Sequence, residues 1–552
     1  MRISGAALSL IAAATLLAGC GQGGMGGGAV SLDRQIGGAS GTELAAEQVL
    51  HWGNGAEPQS LDPHKSEGVP GSNIQRNLYE GLITEAADGA LLPGAAESWE
   101  ISDDGKVYTF KLRENGRWSN GEPVTAHDFV FSIRRSLDPA TLSRYQFILY
   151  PIENAEAVAA GQMPVEATGI EAIDDYTLEI RLENSTPYFL GLLTHSASYP
   201  VNPENVAEFG DRFARPGNLV GNGAYMLEDW VIQSHVKLVR NPHYWNDDAT
   251  VIDTVYMYNT EDKSAELKRY RADEEDITYS SLPKAQMNWM RENLGDELKI
   301  APYLGSYYYG FNLTQPPFSE HSVDLRRALA LAINRDIITG QITDAGEISA
   351  FGFVPPVDNY TGQQMPEAQW SQAEREAEAQ RLYAQAGFTR ENPLRFTIMY
   401  NTEEDHRRIA IAIAAMWKQV LGVEANILNQ EWKVFLETRN KMQETQVFRQ
   451  GWIGDYNDAY TFLELYQSSS GLNDTGFKNP EYDRLLKLAS AEIDMAKRAE
   501  HLQAAERVML DNMPIIPLYF YVTTTLVKPW VQGFQPNIMD HHRAQYLSIL
   551  AH

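Results

Sequence analysis

Between residues 394 and 453 the sequence switches repeatedly between two periodicities, and few folds tolerate that pattern. An apolar run at 394–400 is followed by a 3.6-period stretch at 404–421 that stops at Gly422. A second apolar run at 423–428 leads to a helical stretch at 431–441, and a third at 446–453 closes the series. Strand, helix, strand, helix, strand predicts βαβ units and a parallel sheet, because a crossover helix returns the chain to the same direction. Upstream, 323–338 carries apolar residues at 325, 328, 329, 332 and 333, the spacing of one buried helix face. A second helix at 371–386 ends at Gly387. Helices within 481–511 and a long apolar strand at 515–527 follow.

The first 300 residues read differently. Short strands are expected at 48–52, 178–182, 236–240 and 252–258. A hairpin joins 98–101 to 107–112 across Asp103-Asp104-Gly105. Thr125 is placed to cap a helix running to about Arg135, and a polar helix is expected at 261–271. The Pro- and Gly-dense loop 53–72 is read as irregular, with a helix after it at 73–82. A chain of 552 residues is too long for one ordinary core. A β-rich part therefore precedes an α/β part, and the last strand is expected to run back to the first half. That return would make a discontinuous domain with hinge crossings.

The N-terminus carries an address. Arg2, an apolar run at 6–17 and the closing Leu17-Ala18-Gly19-Cys20 read as a signal peptide over residues 1–20 that ends in a bacterial lipobox. Cys20 is the only cysteine, so no intramolecular disulfide forms, and its position assigns it to lipidation. A Gly-rich tether follows over 21–45. No later stretch offers about 18 consecutive apolar residues, so no transmembrane helix is expected. The expected product is a monomeric body on a lipid leash, in the periplasm or cell envelope. A net charge of −28 with no basic stripe argues against a nucleic-acid partner.

The third run of the α/β series ends at Gly454-Asp455-Tyr456. Asp455 thus lies just past the carboxyl end of a strand, beside Trp452, with Arg439 and Arg449 upstream. Open α/β sheets hold ligands beyond the carboxyl ends of their strands. One anion, two cations and flanking aromatics there suit the two ends of a short zwitterion such as a peptide. The same residues also describe a surface turn with two solvated arginines, and this stretch alone does not separate the two readings. His406 opens the helix at 404, where a cation opposes the helix dipole unless an anion binds nearby. His127 and Asp128 are adjacent on a helix and do not face each other. The chain has no HExxH, G-x-S-x-G or P-loop motif, and GNGAY is not a dinucleotide fingerprint, so no enzyme and no cofactor is indicated. Asp540-His541-His542 is read as an exposed C-terminal cluster rather than a metal site.

The phrases NTEEDH, NQEWKVFLETR, RQGWIGDYNDAYTFL and LYFYVTTTLVKPWVQGF, with AAESWE, LRENGRWSNGEPVTAHDFVFS, RNPHYW and RRALALAINRDII earlier, resemble the oligopeptide-binding proteins of ABC importers. These belong to the dipeptide/oligopeptide/nickel solute-binding family. The resemblance covers nearly the whole exported chain in order. It implies a two-lobe α/β periplasmic-binding-protein fold of the class II type, with an extra domain, mixed sheets and hinge closure around the ligand. It divides the chain into domain I (46–80, 205–305 and 523–552), extra domain II (81–204) and domain III (306–522). It implies short peptides as ligands, delivered to membrane permease subunits of an ABC importer. Asp455 would take the peptide α-ammonium, while Arg439, Arg449 and His406 would take α-carboxylates of peptides of different lengths. Trp432, Trp452, Tyr145 and Tyr521 would line the pocket, and Glu67 and Val69 would touch the ligand from the first lobe. The ligand backbone would pair as an added strand, which gives affinity without reading side chains. Two departures stand out. The family's bracing disulfide is replaced by Gly305 and Ile453, and a lysine available to peptide carboxylates is replaced by Thr343. Murein tripeptide, nickel or haem are the alternative ligands on this fold, and an ammonium-binding Asp455 speaks against the last two.

Overall fold

The computed structural model describes residues 42–357 and 359–552, apart from the side chains of Trp432 and Lys433. The signal peptide and Cys20 lie outside these residues, as does the tether through Gly41.

The largest sheet has six strands, in the order Ile348–Ser349, Ile515–Leu526, Leu298–Phe311, Val447–Ile453, Arg395–Asn401, Glu424–Gln430. The βαβ reading holds for one side of it: Arg395–Asn401 runs parallel to both Glu424–Gln430 and Val447–Ile453. The helix Glu404–Leu421 makes the first crossover and buries Ile409, Ile413, Trp417 and Leu421. Its first turn is closed by the Glu403 carboxylate, which accepts the His406 N–H at 3.0 Å, and it ends at Gly422 with φ +82°. The expectation of a parallel sheet fails on the other side. Val447–Ile453 lies antiparallel to Leu298–Phe311, which lies antiparallel to Ile515–Leu526. Those two strands, of 14 and 12 residues, are apolar enough to be buried centrally, so they occupy the middle of a mixed sheet.

They also reach towards the second sheet, Val49–Gly53, Thr254–Tyr258, His235–Arg240 and Tyr225–Val231. Leu298 pairs with Leu526 at one end and Gly310 with Ile515 at the other, with register shifts between Pro302 and Ser306 and at Tyr307/Tyr308. Just beyond Leu526, Val527 bridges Ile277, which in turn bridges Trp52 of the second sheet. The C-terminal residues lie beside the segment just before the first strand: Leu44 bridges Leu550, and the Gln48 amide donates to Ile549 O at 2.9 Å. The third sheet, Ala96–Ile101, Val107–Leu112, Thr177–Arg181 and Ile170–Asp174, is antiparallel throughout and includes the expected hairpin. Thr125 caps the helix Ala126–Leu137 through a reciprocal box, its N–H donating to Asp128 Oδ2 at 2.8 Å.

Two helix readings need correction. The helix expected at 73–82 is Val69–Leu78, so the end of the loop read as irregular is helical. Pro70 is no obstacle, because a proline in the first turn removes only an N–H that has no intrahelical partner. The single helix expected at 323–338 breaks into Val323–Leu331, Arg335–Ile337 and a wide turn at Ile338–Thr343. Arg335 is the cause. Its guanidinium is buried and donates to the carbonyls of Ala350 and Pro517 at 2.8 Å, and Asn334 starts a new cap that accepts Asp336 N–H at 3.1 Å.

Candidate functional site

The strand Val447–Ile453 builds the site by alternation. Arg449 and Ile453 line a cavity of about 860 Å³, whereas Gln450 turns to the opposite face and donates to Asp474. Gly451 lets a tyrosine approach, since a Cβ there would sit 2.6 Å from Tyr521 Oη. Gly454 packs against Leu304 in the same manner and donates its N–H to Leu304 O at 2.8 Å. The chain then releases Asp455. Thr461, on the short helix Tyr460–Leu463, accepts the Asp455 N–H and the Trp452 indole N–H, both at 3.3 Å, and so fixes the corner.

Asp455 opens into a second cavity of about 240 Å³. Its Oδ2 is shut off from solvent and has no hydrogen-bond partner. Burial alone pushes its pKa up to about 7. Glu464 stands behind it, accepting the Tyr456 hydroxyl at 3.0 Å, and its own pKa is pushed up to about 8, mainly by burial. Val69, Tyr303 and Ile453 line both cavities, so the two run together as one cleft.

Arg449 marks the other end. Its guanidinium donates to Tyr521 Oη at 3.0 Å and Asn401 Oδ1 at 3.4 Å, and lies 4.9 Å over the Tyr307 ring. Among the described residues no carboxylate stands within ion-pair distance of it. Lys263 and Lys284 line the same space, Lys284 paired with Glu347, and carboxylates of Glu261, Asp262 and Glu403 edge it.

The other expected site residues are distributed around these two poles. Tyr145 and Trp452 line the Asp455 cavity, Tyr145 stacked on His195 at 4.7 Å. The Tyr145 hydroxyl is pushed up by burial and then by Asp455 and Glu67. Tyr521 and His406 belong to the Arg449 end, and Val69 to both. Glu67 is in the lining of neither cavity and lies 3.3 Å from Arg144 Nη1, with Ser66 and Gly68 on either side of it in the Asp455 lining. The Trp432 side chain lies outside the described residues.

Three expectations change. Arg439 faces away from both cavities, its Nε 2.6 Å from Asp474 Oδ2 with both side chains largely buried, so its charge is already taken. His406 is no cation in the empty cleft: burial, then Arg449, Lys263 and Lys284, push its pKa down to about 2, and Tyr307 Oη lies 3.2 Å from its Nδ1. Asp540, His541 and His542 are not exposed. His541 Nδ1 lies 2.9 Å from Glu85, and His542 Nε2 is 3.0 Å from Asp540. Among the described residues no group of three or more His, Cys, Asp or Glu side chains is arranged to hold a metal.

Sequence reasoning missed part of the Asp455 cavity. Arg76, His195, Tyr303 and His541 line that cavity from four distant parts of the chain. None sits in a motif, and only the fold brings them together. At the two departures noted in the sequence, Gly305 and Ile453 are direct register partners across antiparallel strands, and Thr343 is buried with its hydroxyl 2.8 Å from Glu347.

The raised pKa of Asp455 has a consequence for binding. Below pH 7 the empty site holds a proton that must leave when a cation arrives, so affinity for an ammonium ligand is expected to fall up to about tenfold per pH unit. Above 7 it should level off until the ligand amine itself loses its proton near 8. Calorimetry at pH 6 in buffers of different ionisation enthalpy checks this: release of close to one proton per ligand is expected, and none would contradict it.

Residues 90–474 match the family of bacterial extracellular solute-binding proteins, family 5, middle region. The chain is 41% identical over 517 residues to the periplasmic oligopeptide-binding protein OppA of Salmonella typhimurium, covering 93% of this chain and 94% of that one. It is 39% identical over 514 residues to the periplasmic murein peptide-binding protein MppA of Escherichia coli, covering 92% and 95%. The crystal structure of Haemophilus influenzae OppA in complex with RPPGFSPFR superposes with a TM-score of 0.82 at 39% identity, covering 92% of this chain and all of that one. The two-lobe α/β architecture with mixed sheets is shared. By motif, fold and extent of identity, this chain belongs to the family 5 bacterial extracellular solute-binding proteins.

Proposed function

We propose that this protein captures short peptides with free termini in the cleft between its lobes and hands them to an ABC importer. The observation that carries this reading is the buried Asp455 carboxylate, whose Oδ2 has no partner within the protein. An unpaired buried charge costs several kcal/mol, and a ligand ammonium removes that cost. Arg449 is the complementary group for the ligand carboxylate, held by Tyr521 and Asn401 and lacking an acidic partner among the described residues. The cleft between them is roomy, so side chains meet space and water rather than a fitted wall, which favours tolerance of sequence. His406, with Glu403 Oε2 3.6 Å from its Nδ1, serves as a neutral hydrogen-bonding group that gains a proton only when a ligand carboxylate joins it. Glu67, Val69, Trp452, Tyr145 and Tyr521 contact the ligand. Arg439 is left out, because Asp474 already neutralises it.

The mechanism is one of closure. Domain I (46–80, 205–305 and 523–552) and domain III (306–522) would close on the crossing strands Leu298–Phe311 and Ile515–Leu526, whose register shifts fall at the division. Domain II (81–204) adds Tyr145 and His195 to the Asp455 cavity. Cys20, lipidated, would tether the body to a membrane, as a monomer in the periplasm or cell envelope. No described helix is long and apolar enough to cross a membrane. Native mass spectrometry of protein purified without denaturation tests the ligand class. A ladder of bound masses separated by amino-acid residues is expected, and a single non-peptidic mass would overturn the reading.

A further inference from the structure

The cleft holds a second buried charge that the grip on peptide termini does not use. Arg76 stands in the last turn of the helix Val69–Leu78 and lines the same cavity as Asp455. It is only 9% exposed. Its Nη1 donates to Asn73 Oδ1 at 3.2 Å, its Nε is buried with no partner, and among the described residues no carboxylate lies within ion-pair distance. The nearby acids are occupied: Glu85 is held by His541 and Asp540 by His542. Asp540 is the further carboxylate in this lining, and its Oδ1 lies 3.0 Å from His542 Nε2. Arg543 donates to Arg76 O, and His195 is kept neutral by burial and by Arg76 and His541. Nor does Arg76 neutralise Asp455, whose raised pKa has burial as its only cause. One cavity of about 240 Å³ thus holds the Asp455 carboxylate and a guanidinium with no ion-pair partner.

We propose that Arg76 forms an anion subsite that receives a ligand carboxylate one or two residues from the amino end. This rests on the reading of Asp455 as the ammonium anchor. With the amine fixed there, a side-chain carboxylate on the second or third residue is the group within reach of Arg76 in a cavity of this size. A guanidinium meets a carboxylate in a planar, paired geometry, and in a desolvated cavity that contact discriminates strongly against a neutral isostere. The protein would then select peptides with an acidic group near the amino end.

Calorimetric titration of the ligand-free full chain tests this with Ala-Glu-Ala-Ala and Ala-Ala-Glu-Ala, each against its Gln counterpart. At one of the two positions the Glu peptide is expected to bind at least tenfold tighter, and in Arg76→Gln that ratio is expected to collapse towards one. A wild-type ratio near one at both positions overturns the proposal, as does a ratio that survives in a folded Arg76→Gln. If that variant does not fold, the wild-type ratios alone decide. Should the Gln peptides bind and show no difference, the subsite fails while the peptide reading stands. If no peptide binds wild type, the peptide reading itself fails.

Discussion

Replacing Asp455 by Asn is expected to weaken binding of peptides with a free amino terminus by about 10²–10³-fold, or about 3–4 kcal/mol. The buried carboxylate has no other cation: burial alone raises its pKa to about 7, and its Oδ2 has no hydrogen-bond partner. N-acetylated peptides lack the charge that Asp455 answers, so their affinity should change little, and titration of matched pairs separates the two. The same substitution should stabilise the empty protein. A raised carboxyl pKa contributes stability that is present below about pH 4 and lost as pH rises through 7, so the native protein carries its greatest penalty at and above neutrality. Asn removes the titrating group, and thermal melts of the empty variant should exceed wild type most at pH 8 and least at pH 4. A variant that loses binding and also melts lower at pH 8 would mean that the carboxylate stabilises the empty fold, against this account.

Arg449→Gln is expected to cost free peptides about 2–4 kcal/mol, read as a loss of 30- to 1,000-fold, while C-terminally amidated peptides are nearly indifferent. The guanidinium is oriented by Tyr521 and Asn401 and stacked over Tyr307. Glutamine keeps donors but removes the charge and the planar fork. His406 should respond as well: with Arg449 gone, one cause of its low pKa disappears, so a proton becomes easier to hold. Equal losses for free and amidated peptides would place the ligand carboxylate elsewhere.

How much of this was legible in the sequence depends on how far apart the interacting residues lie. The helix Glu404–Leu421 and its neighbouring strands were legible because their periodicity and the Gly422 stop are local. Asp455 was legible for the same reason, at the end of a strand in a Gly-Asp-Tyr corner. Strand direction was not, because Leu298–Phe311 enters the sheet beside Val447–Ile453 from about 150 residues upstream. Arg439 failed on partnership: its counter-ion, Asp474, lies on a later loop with no periodic link to it. His406 failed on protonation, since burial first, then Arg449, Lys263 and Lys284, hold its pKa down, and the two lysines come from a distant stretch of the chain. The Arg76 wall had no signal at all, being assembled from residues 76, 195, 303 and 541. Charges that must find partners across a fold are decided by three-dimensional burial, which spacing along a chain does not record.

Asp455, a buried carboxylate with no partner inside the protein, is there to hold the amino end of a peptide. A crystal structure of the closed protein with a bound tripeptide tests it most directly. The ligand amine is expected about 2.7–2.9 Å from an Asp455 carboxylate oxygen, with the ligand carboxylate on Arg449. An amine directed elsewhere, or a cleft occupied by a molecule with no amino end, would contradict it.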